Sequence, residues 1–181
     1  LCGSCTAPAK GAAGSVTFAT TVNVDEHGLL TFADDLAAVS FKGYLNVGAG
    51  ADVDISNIPN VTVGSTLAVG AGGSFAISNA DNVIFDNTVN VNEGADFQIT
   101  NADTVVFDGP VSVQKSAQFN ISNSFTGSDV DRALTVKGSV IVDKDAVLTL
   151  PTGLTALTVG GTFSVDNVLT LPTGLVSLTF G

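Results

Sequence analysis

The chain has 181 residues, 45% of them apolar, with seventeen acidic residues against six basic ones and a formal charge of −11. That length and apolar share suffice for one domain with a sizeable core and disfavour disorder, while the acidic balance repels nucleic acid and anionic lipid. Twenty Gly, eleven Phe against one Tyr, and no Met or Trp, in a chain rich in Val and Thr, favour β-structure over helix, and no apolar run approaches the ~18–20 residues of a membrane helix.

The first fifteen residues, opening "LCGSCTAPAKGAAG", read as an N-terminal arm without strand alternation. Cys2 and Cys5 form a C-x-x-C. A four-ligand zinc site needs two more ligands, and the chain offers no other Cys and His27 as its one His. A redox pair normally opens a helix in a βαβ context, which is missing. A disulfide in an oxidising compartment remains, within the arm or to a neighbouring chain; lipid attachment lacks a lipobox. The absence of Met at position 1 fits removal of a secretion signal, or a truncated or proteolysed chain. An extracellular or cell-surface location is therefore expected.

From Val16 onward the chain repeats with a period of roughly 22 residues. "NVTVGSTLAVGAGGSFAISNAD" from 60, "NVIFDNTVNVNEGADFQITNAD" from 82 and "TVVFDGPVSVQKSAQFNISNSF" from 104 superpose without gaps. Each line holds three apolar pairs spaced i, i+2, such as Val83 and Phe85, Val89 and Val91, Phe97 and Ile99. That spacing puts both members on one face of an extended strand. Between the pairs lie Gly, Asn, Asp and Ser, which suit corners. The expectation is an all-β, single-domain, three-sided parallel β-solenoid (β-helix) over 16–181, of about seven to eight coils starting near 16, 39, 61, 83, 105, 134, 157 and 178.

Six apolar files then run the length of the chain, and no charged residue interrupts them. The first is Val16, Val39, Val61, Val83, Val105, Leu134, Leu157, Leu178; the second runs from Phe18 through Phe41, Phe85 and Phe107 to Phe180. Middle-strand files start at Val22 and Val24, and third-strand files at Leu30 and Phe32, the latter two ending on Leu169 and Leu171.

The corners carry the remaining candidates. Asn57, Asn79, Asn101 and Asn123 recur two residues past the third strand and suit an amide ladder running up the stack. One corner is lengthened at 124–133, "SFTGSDVDRA", and another is shortened around "VDN". Asp129 and Asp131 in the long corner are the best local pair for calcium, although the glycine-rich Asp nonapeptide of calcium-binding β-rolls is absent and solvated surface charge also explains them. No other cofactor is suggested. The outward file Thr17, Ser40, Thr62, Ile84, Val106, Thr135, Thr158, Thr179 is short and mostly hydroxylated; its neighbour includes Lys42, Asp86, Asp108 and Lys137.

"LPTGLTALTVG" at 150–160 and "LPTGLVSLTFG" at 171–181 resemble leucine-rich repeats of the FNIP type, where L-P-x-x-L-x-x-L-x-F-G recurs at about this interval. Residues 16–149 are similar to β-solenoid surface proteins such as adhesin passengers and extracellular fibre subunits. Both resemblances imply binding or scaffolding.

Chemistry finds little support in the residues. His27 and Arg132 are single, and no nucleophile pairs with a base in a recognisable motif. Solenoid enzymes resembling pectate lyases need clustered basic side chains, which five scattered lysines do not supply. The sequence reading is thus no enzyme, but a secreted structural subunit stacking head to tail on itself. Val16, Phe18, Val22 and Val24 would form one contact surface, and Leu178 and Phe180 the other. The alternative reading is a surface adhesin or an ice-binding module. In either case the files are internal, so Val91→Asp, which buries an unpaired charge, is expected to lower stability by several kcal/mol, measured as a drop in the urea midpoint.

Overall fold

The computed structural model describes residues 5–6, of which the backbone alone, and 14–122, 133–167 and 169–181. Among them there is no helix. Strands pair in parallel with the coil before and the coil after, and the register is the one set by the apolar files. Val83 lies between Val61 and Val105, and Val89 between Leu67 and Val111. Third-strand Phe97 lies between Phe75 and Phe119. The chain is a β-solenoid. Its middle strands, from Val22–Val24 to Phe163–Val165, form one sheet of seven strands in coil order.

First and third strands merge into a second sheet of thirteen strands. The cause is the asparagine corner. Ser74–Phe85 and Asp96–Phe107 each run twelve residues from a third strand into the next first strand. A single left-handed residue makes the bend: φ is 55° at both Asn79 and Asn101, and 56° at Asn57. Asparagine tolerates that region better than most residues with a Cβ.

The corner between middle and third strands is a four-residue turn whose third residue has positive φ. His27, Gly50, Gly72, Gly94, Ser116 and Asp145 occupy this place in successive coils. Each turn closes with a backbone bond to the residue three before, as in Ala95 N to Asn92 O at 3.0 Å and Ala117 N to Gln114 O at 3.0 Å. The signs match a type II turn. Pro151–Leu154 and Pro172–Leu175 use the same turn, with φ of 81° at Gly153 and 101° at Gly174. The repeated L-P-T-G-L phrase therefore replaces the asparagine corner at the far end of the solenoid.

The interior is filled by the expected files and by two that the i, i+2 pairs do not reveal. Ala51, Ala95, Ala117 and Ala146 point inward ahead of the third strand, and Leu36, Ile58, Ala80, Ala102 and Leu154 point inward ahead of the first. Phenyl rings stack at the coil spacing: Phe85 on Phe107 at 4.8 Å, and Phe75, Phe97 and Phe119 at 5.5 and 4.5 Å. Seven coils at ~4.8 Å make a rod on the order of 35 Å long.

Two glycines separate backbone strain from crowding. A Cβ on Gly94 meets nothing within 4 Å but would sit at φ 67°, whereas one on Gly43 would lie 2.3 Å from the Thr20 carbonyl carbon. Gly94→Ala is expected to cost about 1 kcal/mol and Gly43→Ala clearly more, compared by urea unfolding.

Candidate functional site

Strand edges concentrate at the two ends of the rod. At the first coil, Gly14–Phe18 pairs with Leu36–Phe41 and Val22–Val24 pairs with Leu45–Val47; among the described residues neither has a strand on its other side. Val16, Phe18 and Val22 are half-buried there, and Val24 is buried. Phe18 stacks on Phe41 at 4.9 Å and meets Phe32 edge-on at 6.2 Å. The third strand is different. Cys5–Thr6 pairs with Leu30 and Thr31, so the arm adds a strand that the sequence reading did not expect. Two residues carry no alternation to read, and neighbour pairing alone defines them as a strand.

At the other end Ser177–Phe180 pairs with Ala156–Val159, setting Leu178 on Leu157 and Phe180 on Val159. Leu178 is 41% and Phe180 49% exposed, and Phe180 stacks on Phe163 at 5.3 Å. All six expected end residues thus lie on the end coils. Ring stacking adds to the apolar burial between coils, and Phe18 and Phe180 are only partly covered on these two coils.

The third-strand files do not extend to Leu169 and Leu171. The last third strand is Val147–Thr149, paired with Gln118–Asn120, and no described strand lies on its outer side. Residues 169–171 are irregular, with Leu169 half-buried and Leu171 exposed. The preceding corner explains the loss. Five residues, closed by the bond from Ala146 N to Asp143 O at 3.2 Å, separate Val142 from Leu148. Only 166–168 separate Val165 from Leu169, too few for that turn. A groove of about 450 Å³ is left, lined in part by Leu148, Leu150, Val165, Asn167, Leu171 and Pro172. Asn167 Nδ2 donates to Ala146 O at 3.0 Å. In earlier coils the equivalent carbonyls accept backbone N–H groups of the next third strand, as Ala117 O does from Val147 N at 2.9 Å.

Along the sides, Asn79 Nδ2 donates to Asn57 Oδ1 at 2.9 Å and Asn101 Nδ2 to Asn79 Oδ1 at 3.1 Å. A shorter second ladder joins Asn82 to Asn60 at 3.0 Å. These amides are occupied by each other. The hydroxyl file stands in register from Thr17 to Thr179, and Lys137 Nζ lies 2.8 Å from Asp108 Oδ1 beside it. His27 is exposed in its turn, 3.6 Å from Glu26. A small apolar void of about 20 Å³ near Phe107, Phe119 and Leu148 has a lining that offers water or a polar ligand no partner. Asn123, Asp129, Asp131, Cys2 and the Cys5 side chain lie outside the described residues, and with them the calcium and disulfide expectations.

No family model, curated protein or solved structure matches the chain. Function has to be read from the geometry.

One carboxylate is out of place on the third wall. Asp96 stands between Ser74 and Gln118, and its buried Oδ1 has no hydrogen-bond partner. Burial raises its pKa above the ordinary aspartate value. The folded state therefore holds this proton more tightly than the unfolded state, and Asp96 costs stability above the unfolded pKa and not below it. Asp96→Asn is expected to raise the urea midpoint at pH 7, with the gain shrinking as pH falls through the raised folded pKa and gone below about 4, the unfolded aspartate value.

Proposed function

We propose that the protein is a structural subunit, acting outside the cell or at its surface, that associates end to end with copies of itself. One observation carries this reading: Leu178 and Phe180 lie on the same two files as Val16 and Phe18. A second copy seated on Ser177–Phe180 continues both files without a change of register. It pairs the strand edge of Gly14–Phe18, and brings the Phe18 and Phe180 rings to the spacing of Phe85 and Phe107. Strand addition of this kind supplies main-chain hydrogen bonds and apolar burial together. A head-to-tail contact does not close on itself unless the rotation happens to, so it propagates into filaments.

The acidic surface supports the same reading. A charge of −11 disfavours side-by-side clustering, leaving the ends, where the charge-free files emerge, as the contact of choice. Adhesion or ice binding through the hydroxyl file has less support, because Lys42, Asp86, Asp108 and Lys137 stand along one flank of it. A structural rather than enzymatic role, without cofactor, belongs to this proposal, as does a joint between copies strengthened by Cys2 or Cys5.

Electron microscopy of the purified protein is expected to show filaments that lengthen with concentration, and Phe180→Asp is expected to abolish them. Monodisperse short rods at high concentration sink the reading. Fibres that dissolve only with reductant support the cysteine joint.

A further inference from the structure

We infer that residues 169–171 are a strand in waiting: they enter the groove beside Val147–Thr149 and complete the third wall when another coil is seated on the C-terminal end. This rests on the end-to-end reading above. The segment has the required chemistry, since Leu169 and Leu171 keep the i, i+2 spacing that fills every other third strand. It is also in place, because Thr170, Leu171 and Pro172 already line the groove. The groove's opposite side is the free edge of Val147–Thr149. Asn167 Nδ2 holds the Ala146 carbonyl that an incoming strand would take at its start.

Seating a coil changes the balance for two reasons. In an isolated rod the docked segment is covered from one side only, so Leu169 and Leu171 gain half the burial of an internal rung while three residues are ordered. The corner 166–168 is also short. Three-residue corners do occur elsewhere, between Phe107 and Val111 and between Val136 and Val140. Those are held on both sides by neighbouring coils, through Lys137 N to Phe107 O at 2.8 Å and Gly160 N to Val136 O at 2.8 Å. With Gly14–Phe18 of a second copy on Ser177–Phe180, that copy's Cys5–Thr6 strand, one rung before its Leu29–Thr31, falls beside the docked segment and covers its other side, so ordering of this strand accompanies assembly.

Cysteine trapping tests it. With Cys2→Ser and Cys5→Ser in the full chain, Thr149→Cys and Thr170→Cys are placed to face each other outward when the segment docks with the 21-residue offset of the neighbouring rung, Ala156 with Ser177. Adjacent rungs bring their Cα atoms within disulfide range. Ile141→Cys with Ser164→Cys, already paired in register, serves as the control for intrinsic reactivity. Under mild oxidant the test pair is expected to close at least tenfold faster in fibres than in dilute rods, with the control pair unchanged. Fibres without the bond, or equal rates in both states, overturn this inference alone. If microscopy shows no fibres at any concentration, the end-to-end reading fails and takes this inference with it.

Discussion

Each coil is sheltered from above and below only by the coils on either side of it. No coil encloses its own apolar groups; Phe97 is buried because Phe75 lies beneath it and Phe119 above, at 5.5 and 4.5 Å. Everything else in the molecule answers to that dependence. Register has to be kept at every rung, since a slip of one residue would turn an entire file outward. Stability is then a sum of neighbour terms along one axis, and among the described residues the first and last coils have a neighbouring coil on one side only.

The corners show how the register is kept. At the turns before the third strand the backbone itself is tied rung to rung: Gly50 N reaches Ala71 O at 3.1 Å and Gly94 N reaches Lys115 O at 3.2 Å. Loops in most proteins hold their shape through local contacts, but here even the turns belong to the stacking direction. His27, a left-handed residue with a side chain, is tied in the same way, its N reaching Ala49 O at 3.1 Å. The neighbouring coil thus helps to hold a conformation that such a residue would avoid in isolation.

Much of the fold was legible because strands of two or three inward residues, filled with Val, Phe and Ile and separated by Gly, Asn and Asp, leave an unambiguous period. What escaped did so for physical reasons. Ala80, Ala102 and Ala146 are inward but small, and in a corner they read as turn residues. The union of first and third strands depends on φ at Asn79, which a sequence does not display. Leu169 and Leu171 have the right spacing, yet the three residues before them do not supply the turn that delivers a strand to the wall. The end residues Val16, Phe18, Leu178 and Phe180 could be named in advance because position in a repeat fixes position on the rod. The arm's short strand could not, since its only signature is the partner it pairs with.

The asparagine file has a direction. Asn101 donates to Asn79, Asn79 to Asn57, and Asn57 at 3.4 Å to the carboxylate of Asp34. Every amide dipole in the row is therefore aligned toward the first coil, and the row terminates on an anion, the group best suited to receive the accumulated positive end of such a series. The rod is electrically vectorial along this one edge over these coils, so the direction toward the first coil is distinguished from its opposite by polarisation as well as by the course of the chain.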